Sequence, residues 1–233
     1  MNIRNITLAL LGLAFAGSAA ASELSYTYVD FRVLNNELDL TGTDTPVPGQ
    51  SVALETEDGD GISVAGSLQL PAGFYLAGAF NSSIVDVTST ITSPLTETEV
   101  RDEFDLITSS FGVGYRHELG TNFDLIGELT YDTGELDFGS LAGEDFDTED
   151  SGVSARVGFR WNPRPPFELY ALGGVSPVGE VSLNERRFDS ASVVNAGFRW
   201  YFFQDLGFGL DYQSGDLSAL TLSMRFSFGS VPW

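Results

Sequence analysis

The chain has 233 residues, of which 33 are Asp or Glu and 11 are Lys or Arg, for a formal net charge of −22. Every basic residue is an arginine, so there is no basic footprint for a nucleic-acid partner. The absence of cysteine excludes a disulfide scaffold and a thiolate metal centre. A hydrophobic content of 42%, with 12% aromatics, separates the chain from disordered acidic proteins.

Residues 1–21 read as a secretory leader. Arg4 supplies the basic start, Ile6 to Phe15 form an apolar core too short for a good membrane span, and Ala19-Ala20-Ala21 fits the small-residue cleavage rule. Cleavage is expected before Ser22, leaving 22–233 as a single exported domain. No later segment approaches about 18 consecutive apolar residues, so helical spans are not expected. A membrane β-strand needs only about ten alternating residues.

That alternation runs through the remaining chain. The first strand is expected around Leu24 to Val33, with Tyr26 and Tyr28 on one face, Val29, Phe31 and Val33 on the other, and a bulge near Tyr28. Ile62 to Leu70 and Phe74 to Phe80 follow, separated by Pro71-Ala72-Gly73. In the next pair, Ile107, Phe111, Val113 and Tyr115 alternate with Thr108, Ser110, Gly112 and Arg116. Phe123, Leu125, Leu129 and Tyr131 alternate with Asp124, Glu128, Thr130 and Asp132. Val153 to Trp161 and Phe167 to Val175 flank a proline-rich turn at 162–166. Val194 to Trp200, Leu206 to Gln213 and Leu220 to Phe228 complete a count of about ten.

The connections alternate in length. Residues 35–60, 83–103, 133–151 and 177–190 read as long acidic loops, whereas 71–73, 118–121, 162–166 and 202–205 are tight. Together these features predict an all-β fold: a closed antiparallel up-and-down transmembrane β-barrel of about ten strands (eight as the alternative). Its acidic loops would be extracellular and its short turns periplasmic.

A soluble barrel would turn its apolar face inward, and two patterns favour the reverse. Phe74, Tyr115, Phe123, Phe159, Trp161, Phe167, Phe198, Trp200 and Phe226 fall beside the short turns, as an interfacial girdle requires, with Phe80, Phe104, Tyr131 and Tyr212 as the opposite girdle. The polar face carries Arg116, Arg156, Arg160, Arg199 and Arg225 against Asp124, Glu128, Glu168 and Asp211, a candidate lumen charge network. A 161:167 register would set Arg160 opposite Glu168, and a 116:124 register would set Arg116 opposite Asp124.

The leader, the alternating strands and the terminal Ala219 to Phe228 strand resemble the small outer-membrane barrels of the OmpA/OmpX type, the porin-family β-barrel domains. The resemblance implies residence in the bacterial outer membrane, contact with its lipid and lipopolysaccharide, and a C-terminal signal read by the barrel-assembly machinery. Phe226 and Phe228 fit that signal, although the chain continues to Trp233. The smallest members have eight strands. No peptidoglycan-binding domain is read after the barrel, and a monomer is expected.

Catalysis is not expected, because the single histidine, His117, falls at a short turn, and no cofactor is implied. Asp58, Asp60, Asp145 and Asp147 are candidate ligands for divalent cations, yet their stretches lack EF-hand spacing. The functional expectation is a non-enzymatic scaffold displaying acidic loops around a charge-paired lumen. A narrow passive channel for small solutes or ions is the alternative, and an outer-membrane hydrolase the remote one.

Overall fold

The computed structural model describes residues 24–38, 41–44, 51–141, 144–182, 187–215 and 217–228. The expected leader and Trp233 lie outside these residues. The strands are β1 (Tyr28–Leu38), β2 (Thr41–Asp44), β3 (Ser51–Gln69), β4 (Phe74–Ser93), β5 (Thr96–Glu118) and β6 (Phe123–Leu141). They continue as β7 (Glu144–Arg164), β8 (Phe167–Ser182), β9 (Arg187–Phe203), β10 (Leu206–Ser214) and β11 (Leu217–Ser227). Every pairing is antiparallel, and all but the two made by β1 join chain neighbours.

The sheet closes because β1 pairs on both sides. One side runs from Tyr28 opposite Ser227 to Leu38 opposite Leu217, and the other from Tyr28 opposite Ser67 to Asn36 opposite Gly59. β2 continues along β3, with Thr41 opposite Glu55, so β1 and β2 share one position in the wall. The result is the expected ten-stranded closed barrel. No described helix is long and apolar enough to cross a membrane.

Four tight connections join the strands at one end, at Pro71–Gly73, 119–122, 165–166 and 204–205. Ala72 (φ 61°) and Gly73 (φ 84°) both adopt left-handed conformations to make the first. At the other end the long loops expected from sequence are replaced by strand. β4 runs to Ser93 and β5 begins at Thr96, so within 83–103 only Pro94 and Leu95 connect, and the segment 133–151 lies mostly within β6 and β7.

These extensions stay in the barrel because their alternation continues with its phase reversed. Outward along β6 come Phe123, Leu125, Leu129 and Tyr131, then Thr133, Glu135 and Asp137, while inward come Asp124, Glu128, Thr130 and Asp132, then Leu136. On β4, Phe74, Phe80 and Ile84 face out before Asp86 does, and the inward residues change from Asn81 and Ser83 to Val85 and Val87. Below the change the wall is apolar outside and polar inside, as lipid requires. Above it the wall is polar outside and apolar inside, as in a barrel standing in water.

The outer apolar band includes Phe31, Val33, Phe111, Val157, Leu222 and the turn-proximal aromatics, of which Phe123, Phe159 and Phe226 are half-buried and the others exposed. Phe74 and Tyr115 approach to 5.0 Å between ring centroids, Phe123 and Phe159 to 5.6 Å, and Phe167 and Phe198 to 5.6 Å, forming the girdle at the short-turn end. Phe80, Tyr131 and Tyr212 are exposed toward the far end. Phe104 is not part of that girdle. It is buried inside the barrel with Val85, Val87, Leu106, Leu136, Val178 and Phe188, because β5 keeps its even-numbered residues inward and the apolar residues now fall on that face, with Glu103 and Asp105 outward.

Candidate functional site: the lumen

Three layers fill the interior. At the short-turn end, Leu24 to Thr27 precede β1 and lie buried within the barrel. Tyr26 donates a hydrogen bond from its hydroxyl to Asp124 Oδ2 at 2.9 Å. Its ring lies 4.2 Å from the Arg160 guanidinium carbon and 5.0 Å from that of Arg116. Arg160 also donates to the Ser25 carbonyl at 3.1 Å, and the Phe228 amide donates to the Thr27 carbonyl at 2.8 Å. Leu24 and Tyr26 pack with Tyr75 and Ile126 in a small apolar cluster. Gly114 makes this possible, since a Cβ there would fall 2.0 Å from the Tyr75 ring.

The second layer is a charge knot. Asp30 receives both Nε and Nη2 of Arg225 at 2.7 Å each, Arg32 at 3.0 Å and Arg199 at 3.5 Å. Glu168 receives Arg160 at 2.8 Å, the Tyr201 hydroxyl at 3.1 Å and Arg199 at 3.4 Å, with Arg225 at 3.6 Å. Asp211 accepts from Tyr170 at 2.8 Å and Ser223 at 3.0 Å, beside Arg199 at 3.5 Å. Guanidinium carbons also stack on rings, Arg225 on Tyr28 at 3.4 Å and Arg199 on Tyr170 at 4.7 Å. Burying so many charges costs several kcal/mol per ion unless each is paired and its remaining hydrogen-bonding sites are filled, and shared, forked contacts meet that condition.

Above the knot, Asp132 collects donors from five side chains: Ser110 at 2.8 Å, Thr130 at 2.7 Å, Ser176 at 3.0 Å, Arg156 at 2.8 Å and Ser154. Glu128 accepts from the Tyr75 hydroxyl at 2.8 Å. A chamber of about 250 Å³ lies here, lined by Arg32, Asn81, Glu128, Arg156 and Asn195 among others. The third layer is the apolar cluster from Val85 to Phe188, toward the far end.

The residues expected from sequence therefore divide among contacts. Arg160, Glu168, Arg199, Asp211 and Arg225 meet in the knot, and Arg116 lies 3.7 Å from Asp124 and 2.9 Å from Glu118. The registers differ from expectation. Arg160 stands opposite Tyr170 because pairing continues past Trp161 to Arg164 opposite Phe167, leaving a two-residue turn, with a register shift between Trp161 and Arg164, and Glu168 stands opposite Arg199 on β9. Arg116 stands opposite Ile126 and reaches Asp124 diagonally. Glu128 is the cross-strand neighbour of Arg156, but Arg156 pairs with Asp132.

Asp30, Arg32, Asp132 and Tyr26 were absent from the expected network. No bulge interrupts β1, so Tyr28, Asp30 and Arg32 continue one inward face while Val29, Phe31 and Val33 face out. Reading Asp30 and Arg32 as a continuation of Tyr26 and Tyr28 is the signal that finds them. Phe226 lies 6.1 Å from Phe31 in an edge-on contact, and Phe228 is exposed just beyond β11. His117 is exposed near the end of β5, opposite Leu125. Asp58 and Asp60 are exposed on β3, and Asp145 and Asp147 stand opposite Ser140 and Asp137, with side chains outside those described. Among the described residues, no group of three or more His, Asp or Glu side chains is placed to hold a metal.

No protein-family model matches this chain, and no curated protein matches it. Solved structures do. The β-domain of the Bordetella autotransporter BrkA aligns with a TM-score of 0.50 at 11% identity, over 87% of this chain and 100% of that one. The translocator domain of the autotransporter NalP from Neisseria meningitidis gives 0.48 at 15% identity, over 97% and 94%. The NanC porin gives 0.45 at 11% identity, over 86% and 98%. At such identities the likeness concerns the fold alone. The chain has the fold of the bacterial outer-membrane β-barrels, and membership of the OmpA/OmpX type within that class is not shown.

Proposed function

We propose that this protein is a non-enzymatic outer-membrane scaffold whose lumen is shut by its own side chains. The supporting observation is the stack of three fillings: the Tyr26 segment at the short-turn end, the Asp30–Glu168–arginine knot, and the apolar cluster around Leu136 and Phe104. A solute passing end to end would have to displace both outer layers and separate the buried ion pairs between them. The reversed upper wall suits display, since it raises a rigid rim clear of the lipid. Its outward Asp86, Glu103, Asp105 and Glu149 suit contact with lipopolysaccharide phosphates through divalent cations. The closing strand, with Phe226 and Phe228, is proposed as the segment read during assembly.

The chamber favours a second reading, a narrow passive channel that opens when the Tyr26 segment and the apolar cluster move. Liposome swelling separates the two. Vesicles carrying the refolded protein are expected to keep their volume in isotonic arabinose or glycine, and swelling at porin-like rates would overturn the scaffold.

A further inference from the structure

Among the described residues, six arginines point into the lumen, but they are not equivalent. The side chains of Arg116, Arg160, Arg199 and Arg225 are 8%, 7%, 3% and 2% accessible, whereas those of Arg32 and Arg156 retain 21% and 18%. Both of the latter line the central chamber. Each makes a single contact with a carboxylate, Arg32 through Nη2 to Asp30 and Arg156 through Nη2 to Asp132. Those carboxylates are oversubscribed: Asp30 is already held through both oxygens by Arg225, and Asp132 by four hydroxyls. The Nε of each arginine has no partner. A guanidinium carries five donors in a planar fork, so both have unused capacity.

Their positions follow from the register. Counting hydrogen-bonded neighbours from Arg32 in one direction passes Ser63, Asn81, Thr108 and Gly134 and reaches Asp150 on β7. Counting in the other direction passes Ser223, Gly209, Arg199 and Glu168 and reaches β7 between Trp161 and Arg164. Both routes take five steps, so β7 stands diametrically across from β1. The offset between the two arrivals is the shear of the barrel, and half of it marks the height of Arg32 on β7. That midpoint is Arg156. The two accessible arginines therefore face one another across the lumen at one height.

Ten strands about 4.8 Å apart and tilted by about 40° enclose a ring about 20 Å across. Each guanidinium is tied on its own side of the wall, Arg32 to Asp30 on β1 and Arg156 to Asp132 on β6, and the chamber of about 250 Å³ that both line has room for a small carboxylate. Beside Arg156, its cross-strand neighbour Glu128 lines the same chamber and is bonded only to the Tyr75 hydroxyl. An acceptor there repels a bare anion but takes a donor attached to one.

We infer that the chamber between Arg32 and Arg156 is a binding site for a small carboxylate carrying an amino or hydroxyl donor beside it, as in an α-amino acid. The guanidinium forks hold the carboxylate, and Glu128 takes the neighbouring donor. The site does not depend on whether the lumen conducts.

The test is equilibrium dialysis of labelled glycine against full-length protein refolded in its presence, so that the closed ends do not block loading. Saturable binding of about one glycine per chain is expected, displaced when acetate is present during refolding and not when methylamine is. Arg32→Gln and Arg156→Gln should each weaken it at least tenfold, with folding checked by heat-modifiable gel migration. Arg32→Lys and Arg156→Lys keep the charge without the fork and should weaken it severalfold, which covers the case where a glutamine variant does not fold. Glu128→Gln should weaken glycine binding and strengthen acetate binding. No saturable binding, binding unchanged in the arginine variants, or displacement by methylamine as strong as by acetate would each overturn the assignment.

Discussion

Asp30→Asn tests the charge knot most sharply, because it keeps the shape of the side chain and removes one charge. Asp30 is fully buried and lies 2.7 Å from Arg225, 3.0 Å from Arg32 and 3.5 Å from Arg199. Removing one partner of a buried ion pair costs about 3–5 kcal/mol, chiefly because the other charge is left uncompensated. Here Glu168 remains 3.4 Å from Arg199 and 3.6 Å from Arg225 and retains part of the compensation. The low end of the range therefore applies, about 3 kcal/mol, or roughly 150-fold in the folding equilibrium. Urea titration of the protein refolded in lipid vesicles, followed by tryptophan fluorescence, measures the loss. Replacing the pair by Asp30→Asn with Arg225→Met removes the stranded cation and should recover at least half of it. A stability within 0.5 kcal/mol of the parent for Asp30→Asn, or strict additivity in the double variant, would refute the knot as a coupled unit.

The reversal of phase along the strands gives a paired test. Val157→Arg, at the centre of the lipid-facing band on β7, should cost about 2–4 kcal/mol in the same titration, while Glu149→Arg, farther along the same outward face, should change little. Leu136→Asp, which buries a lone carboxylate in the apolar cluster, should admit protease to the far-end hairpins while heat-modifiable migration persists. Because the chain has no cysteine, Ala79→Cys gives a unique label inside the chamber. A small maleimide should react slowly with it in the parent and at least tenfold faster when Leu136→Gly and Phe104→Gly open the apolar cluster beside the chamber.

The lower half of each strand was legible because aromatic and aliphatic residues alternate there with Gly, Ser and charged residues, as in Phe123 to Tyr131 and Leu220 to Phe228. The upper halves were read as loops because their composition is acidic. The alternation is still present, in Val85-Asp86-Val87, Phe104-Asp105-Leu106 and Glu135-Leu136-Asp137, but with the polar residues outward. Composition obscured a period that residue-by-residue phase preserves. The types of the lumen charges could be read from one face of each strand, whereas their partners could not. The slip between Trp161 and Arg164 and the diagonal from Arg116 to Asp124 are set by turn geometry and shear, which alternation does not encode. The Tyr26 segment carried no sequence signal of its own. A tyrosine before a first strand reads as its continuation, and only the closed wall shows that it lies inside.

The central claim, a barrel closed from within by Tyr26 at one end and the Leu136 cluster at the other, is tested most directly by the conductance of the refolded protein in a planar lipid bilayer. Insertion of the unaltered chain is predicted to give no steady current in 1 M KCl, with steps appearing only when Tyr26→Ala, Leu136→Gly and Phe104→Gly are combined with Asp30→Asn and Arg225→Met, which loosen the knot between the two ends. Stable single-channel openings from the unaltered protein would contradict it.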